Sequence, residues 1–174
     1  NSLDLPDRYF VFVGRLGAVK NLHLLLEAFS IIHKRDNNLY LVIVGDGPEK
    51  STILNKVQDL DIAEKVIMLG TLSNPYPIIK NSKLVLLSSF SEALPTVILE
   101  SFVFGKTVVS TPTNGAIDLL ENGKYGYISE SFGVDDFYKE IEKAIINPIE
   151  EKMLFNYANK FQIENKVKEL ISLF

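Results

Sequence analysis

Cysteine is absent from the 174 residues, which excludes a disulfide framework and any thiolate metal site. No apolar run reaches the ~18 residues that a bilayer-spanning helix requires. No Asn-x-Ser/Thr acceptor and no signal peptide are visible, so a cytoplasmic location is expected. Positive charge is not in surplus. The net charge is −4, and the aromatic residues are not interleaved with basic ones, which argues against a nucleic-acid partner. Internal repeats and low-complexity linkers are also missing. What is present describes an ordinary globule, 47% hydrophobic and 23% charged. The length suits one well-buried domain, so residues 1–174 are expected to form a single unit. Asn1 stands directly before a strand without a leading methionine, as expected of an excised domain or a processed product.

Short apolar runs alternate with helical periodicity along most of the chain. Strands are expected at Tyr9–Val13, Leu39–Val44, Val66–Leu69, Leu84–Leu87, Val108–Ser110 and Tyr125–Ile128. A helix opened by Lys20 or Asn21 puts Leu22, Leu25, Leu26, Phe29 and Ile32 on one face. Another runs to about Leu60, and a short one lies near Pro77–Asn81. Strands separated by helices imply crossover connections and a parallel sheet. The expectation is an α/β fold: a doubly wound parallel sheet of about six strands with a helical C-terminal tail from about Val134. In that tail Ile163, Val167, Leu170, Ile171 and Phe174 form an apolar stripe, suited to packing on its own domain or on a neighbour.

Glu92 and Glu100 stand out. The first lies in the loop after the apolar run Leu84–Leu87, and the second lies inside the helix that follows. Pro95 suits the first helical position, where its missing N–H costs nothing. In an open α/β sheet the carboxyl edge of the strands is where ligands bind. Glu100 has mostly apolar helical neighbours, and a carboxylate there is costly unless hydroxyls or cations meet it. Arg15 and Lys20, in the loop after the first strand, bring two cations to a helix N-terminus, a place suited to an anion. Gly45-Asp46-Gly47-Pro48 lacks the third glycine of a dinucleotide fingerprint and reads as a tight strand-to-helix turn, with Pro48 at the first helical position. Asp59-Leu60-Asp61 precedes a strand, so this acidic pair belongs to the opposite edge and reads as solvated loop. His23, on a stripe with Glu27, Ser30 and Lys34, reads as solvated. Neither it nor His33 has a partner at metal-ligand spacing.

Four motifs in order, Gly14-Arg15-Leu16-x-x-x-Lys20, Val44-Gly45-Asp46-Gly47-Pro48-Glu49, Glu92-x7-Glu100 and Glu121-Asn122-Gly123-x-x-Gly126-Tyr127, resemble the carboxyl-terminal domain of glycosyltransferase family 4. The resemblance runs from about Tyr9 to Ile128. It implies a Rossmann-like half of a two-domain, B-type, retaining enzyme. By that resemblance Arg15 and Lys20 hold the diphosphate of a nucleotide-sugar, Gly14 belongs to the donor-binding set, and Glu92 meets the sugar hydroxyls, with Arg15, Lys20 and Glu92 as the catalytic set. Glu100 accepts from the ribose, the stretch Ala93–Thr96, which includes Leu94 and the N–H-less Pro95, cradles phosphate through its remaining backbone N–H groups, and Thr71-Leu72 lies beside the base.

The resemblance further implies no cofactor and no metal, the substrate being the nucleotide-diphosphate sugar. The acceptor, a glycan or a lipid-linked molecule, is expected on an amino-terminal domain absent from this chain. Peripheral association of the full enzyme with the inner face of a membrane, in polysaccharide synthesis, also follows from it. Three positions depart from the family habit: Asn21 and Ala93 replace glycines and Thr107 replaces a proline. A stand-alone nucleotide-sugar-binding module and a receiver- or flavodoxin-like domain are the alternatives. A receiver needs clustered aspartates at strand ends, where this chain has Gly14, Gly45 and Ser88.

Overall fold

The computed structural model describes residues 4–161. Its strands are β1 (Tyr9–Val13), β2 (Tyr40–Val44), β3 (Val66–Gly70), β4 (Leu84–Leu87), β5 (Val108–Ser110) and β6 (Tyr127–Ile128). The helices are α1 (Leu22–His33), α2 (Lys50–Asp59), α3 (Tyr76–Asn81), α4 (Thr96–Val103), α5 (Asn114–Leu119), α6 (Val134–Ile146) and α7 (Glu151–Ala158). The six strands form one sheet in the order β3-β2-β1-β4-β5-β6, with every pair parallel.

Strand residues alternate between two apolar layers, as a period of two demands. Phe10, Phe12, Leu41, Ile43, Leu84 and Leu86 face α1, α2 and α6, where Leu25, Phe29, Ile53, Phe137 and Ile141 meet them. Tyr9, Val11, Val42, Val44, Val85 and Leu87 face α3, α4, α5 and α7 through Ile79, Ile98, Phe102, Ala116 and Leu154. Each fully buried side chain of this kind contributes about 1.5–3 kcal/mol. Burial on both faces explains why the strands read as continuous apolar runs rather than alternating ones.

Several local expectations shift. β2 begins at Tyr40, and β6 is confined to Tyr127–Ile128, because Tyr125 is drawn into a stack on Tyr157 with ring centroids 3.6 Å apart. Pro95 is the N-cap of α4 rather than its first residue, since its ψ of 90° is extended. Pro48 sits in the turn before α2, whose N-cap is Glu49. That turn is tied back, with the Glu49 N–H donating to Leu16 O at 2.9 Å. The stripe of His23 is not wholly solvated: Ser30 is buried, because α1 packs between α2 and α6. Thr107, at the position where proline is frequent, uses its hydroxyl to accept the Ile149 N–H at 2.9 Å, which anchors the link between α6 and α7. The apolar stripe Ile163, Val167, Leu170, Ile171 and Phe174 lies outside the described residues.

Candidate active site

The sheet order reverses between β1 and β4, and the crevice outside their carboxyl ends is the expected place for a ligand. The loop after β1 is built on the loop after β2. Gly14 N–H donates to Val44 O at 2.9 Å, and Leu16 N–H to Asp46 O at 2.9 Å. Contact is so close that a Cβ on Gly45, whose φ is +140°, would lie 1.8 Å from Gly14 O. One on Gly47 would lie 2.4 Å from Leu16 O. The G-x-G turn therefore needs its glycines for this backbone approach. Asp46 accepts from Gly47 N–H and from Lys50 Nζ, both at 2.8 Å, and chiefly the Lys50 bond lowers its carboxyl pKa.

After Gly17 the chain makes a single 3-10 turn over Ala18–Lys20, then enters α1 through Asn21 at φ +47°. This left-handed conformation suits asparagine in place of glycine, because its short polar side chain tolerates the region that other L-residues avoid. The turn fixes Lys20, whose ammonium pairs with Glu92 Oε1. Glu92 comes from the loop after β4, so the pair bridges the two strands of the switch point.

Three buried hydroxyls hold this bridge from below. Ser88 Oγ donates to the main-chain oxygen of Lys20 at 2.8 Å. Ser89 Oγ donates to Glu92 Oε1 at 2.7 Å. Thr111, just past β5, donates to the Ser89 oxygen at 2.5 Å. Above them Phe90 N–H donates to Val19 O at 2.8 Å, joining the two loops again. Ser88, Ser89 and Thr111 escape sequence reasoning. The one available signal is polar residues directly after apolar strands, which also describes any loop.

Pro95 and Thr96 open α4, and no acceptor among the described residues meets the N–H groups of Leu94, Thr96 or Val97. These orphan donors belong to residues that line the crevice, and with the helix dipole behind them the position is suited to an anion. Ala93 has no positive φ, so alanine is unstrained there. Its oxygen and that of Glu92 rest on the start of α5, where Gly115 N–H donates to Glu92 O at 2.9 Å. A Cβ on Gly115 would lie 2.6 Å from Ala93 O. One turn into α4, half-buried Glu100 has no hydrogen-bond partner among the described residues.

A cleft of about 270 Å³ collects Gly14, Lys20, Ser89, Glu92, Leu94, Pro95, Thr96 and Glu100. It offers one cation, two carboxylates and a row of free amides: donors for phosphate oxygens and acceptors for hydroxyls. Arg15 is exposed beside it, with no side-chain partner among the described residues. Ala93 adjoins the cleft without lining it. Leu72 lines a separate cavity of about 630 Å³ with Tyr9, Pro77 and Ile78. Asp59 and Asp61 are exposed before β3, at the far edge of the sheet. Among the described residues no group of three or more His, Cys, Asp or Glu could hold a metal ion. None of their helices is long and apolar enough to cross a membrane.

Comparison with known proteins adds to this geometry. The family model described as "Glycosyl transferases group 1" matches residues 1–161. A Campylobacter jejuni protein named GalNAc-alpha-(1->4)-GalNAc-alpha-(1->3)-diNAcBac-PP-undecaprenol alpha-1,4-N-acetyl-D-galactosaminyltransferase is 33% identical, over 96% of this chain and 48% of its own length. A second from the same organism, N-acetylgalactosamine-N,N'-diacetylbacillosaminyl-diphospho-undecaprenol 4-alpha-N-acetylgalactosaminyltransferase, is 27% identical over 99% of this chain and 46% of its own. Among solved structures, Anabaena HepE in complex with UDP superposes with a TM-score of 0.81 at 21% identity, covering 97% of this chain and 50% of that one. The chain spans less than half the length of both Campylobacter relatives.

Proposed function

Because the chain belongs to the glycosyl transferases group 1 family, we propose that it is the donor-binding half of a retaining glycosyltransferase. It takes a nucleotide-diphosphate sugar, and the sugar passes to a glycan or lipid-linked acceptor held by a partner domain. The observation that carries this reading is the convergence of Lys20, Glu92, Glu100 and the free amides at the start of α4 on one cleft.

In this reading Arg15, Lys20 and those amides neutralise the diphosphate. They also stabilise the charge that grows on the leaving nucleotide as the glycosidic bond breaks, the largest single contribution in many enzymes. No metal or cofactor takes part. Glu92 accepts hydroxyls of the transferred sugar and Glu100 those of the ribose, because a carboxylate repels phosphate but accepts well from hydroxyls. Gly14 allows close approach of the phosphates, and Thr71 borders the base, while Leu72, which lines the separate cavity, supports that segment from the core. The Campylobacter relatives carry undecaprenol-linked acceptors in their names, which supports peripheral membrane association of the full enzyme.

A thermal-shift screen against UDP-, GDP- and ADP-sugars tests the reading, since a ligand bound only by the native state raises the melting temperature. One class of nucleotide-sugar is expected to raise it, with or without EDTA. No shift with any of them would refute donor binding, and a shift abolished by EDTA would refute metal independence.

A further inference from the structure

Glu92 Oε1 receives both Lys20 Nζ and Ser89 Oγ, while Oε2 has no partner among the described residues. The Lys20 and Glu92 side chains are only 24% and 14% exposed, so neither is freely hydrated. In the donor-binding reading the same ammonium must also meet the diphosphate. It is a compact point charge, and two anions compete for it.

The two possible ligands differ in what they give back. A bare nucleoside diphosphate that draws Lys20 away leaves a largely buried carboxylate with the Ser89 hydroxyl alone. It also brings further negative charge close by, a costly arrangement. A nucleotide-sugar instead supplies hydroxyls that donate to the free Oε2, replacing the lost cation with hydrogen bonds. Ser89 keeps this exchange in register. It is 1% exposed, and its own oxygen is fixed by Thr111.

We propose that the Lys20–Glu92 pair, backed by Ser89, discriminates the nucleotide-sugar from the nucleoside diphosphate left after transfer. The pair is open in the sugar-bound state and closes again as the product leaves. Glu92 and Lys20 touch the ligand; Ser89 is a positioning residue acting through Glu92. This inference rests on the donor-binding reading.

The experiment is titration calorimetry on this chain with UDP, GDP and ADP, and with UDP-N-acetylglucosamine, UDP-glucose, GDP-mannose and ADP-glucose. Two variants are compared with wild type, each checked by its melting curve. For the base that binds, Glu92→Gln frees Lys20 and is expected to tighten the bare diphosphate about fivefold while weakening the sugar form. Ser89→Ala strips Glu92 of its remaining donor, so it should weaken the bare diphosphate about threefold and the sugar form less. A merely structural role would move both variants in the same direction. An unchanged or weakened diphosphate in a folded Glu92→Gln overturns the proposal, and so does an unchanged one in Ser89→Ala. Failure of wild type to bind any of the seven probes overturns the donor-binding reading itself.

Discussion

At the scale of single residues, Glu100 is the sharpest case. It is half-buried, lines the cleft, and has no hydrogen-bond partner among the described residues. A carboxylate so placed gains most from a ligand that brings hydroxyls. Glu100→Gln is expected to weaken a ribonucleotide by about 1.5–3 kcal/mol, the range for hydrogen bonds to charged groups. The 2′-deoxy analogue should be affected far less. Calorimetry with both ligands decides it, and equal losses would remove the ribose assignment. Much of this scale was legible in the sequence. Charged residues at a strand's carboxyl end have few structural reasons to be there, so Lys20, Glu92 and Glu100 stood out. Ser88, Ser89 and Thr111 did not, because a serine or threonine after a strand looks the same whether it caps a turn or, like Ser89, holds a carboxylate of the cleft.

At the scale of elements, the apolar runs located all six strands, with ends displaced by a residue or two where side chains beyond the strand intervene. Tyr125 is the example, taken from β6 by its stack on Tyr157. The proline at the start of α4 marked the helix start but not the cap, because the ψ that sets the difference depends on the loop's route. The seating of the loop after β1 on the loop after β2 was not legible at all, since it joins residues about thirty apart through backbone alone. It makes Gly45 a critical position. Gly45→Ala would force a Cβ into Gly14 O, so we expect a loss of about 2–4 kcal/mol in urea unfolding. Any folded remainder should bind nucleotide poorly. A loss below about 0.5 kcal/mol, the range of ordinary surface changes, would mean the two loops part freely.

Tyr9 gives a pH prediction at the same scale. It ties the start of β1 to α3, donating to Ile78 O at 2.7 Å, and burial pushes its hydroxyl up from 10.0 to about 12. The folded state therefore holds this proton more tightly than the unfolded one. The contribution is fully present below pH 10, and it is lost as pH rises through the folded value near 12. Unfolding free energy should fall across that window, and Tyr9→Phe should flatten part of the slope. A slope unchanged by the substitution would assign the alkaline loss to other groups.

For the whole molecule, in the donor-binding reading, one Rossmann-like unit supplies one wall of a reaction cleft. Holding two reactants in position can account for roughly 7–11 kcal/mol of a barrier. This chain, alone, is therefore expected to bind a nucleotide-sugar and transfer nothing. A radiolabelled-donor assay with glycan and lipid extracts checks this, and transfer lost in Glu92→Ala would show that the chain suffices. The all-parallel sheet has a wider consequence for how such a protein can diversify. Every crossover delivers its loop to one edge, and none of those loops carries strand pairing. Recognition and architecture are thus written in separate stretches of chain. Where one loop rests on another, as at Gly45, the two must change together. Where a loop is mostly exposed, as over 71–75 apart from Leu72, it has more room to change, and grafting that stretch from a relative with Leu72 kept in its core contact should alter base preference while leaving the melting temperature nearly untouched.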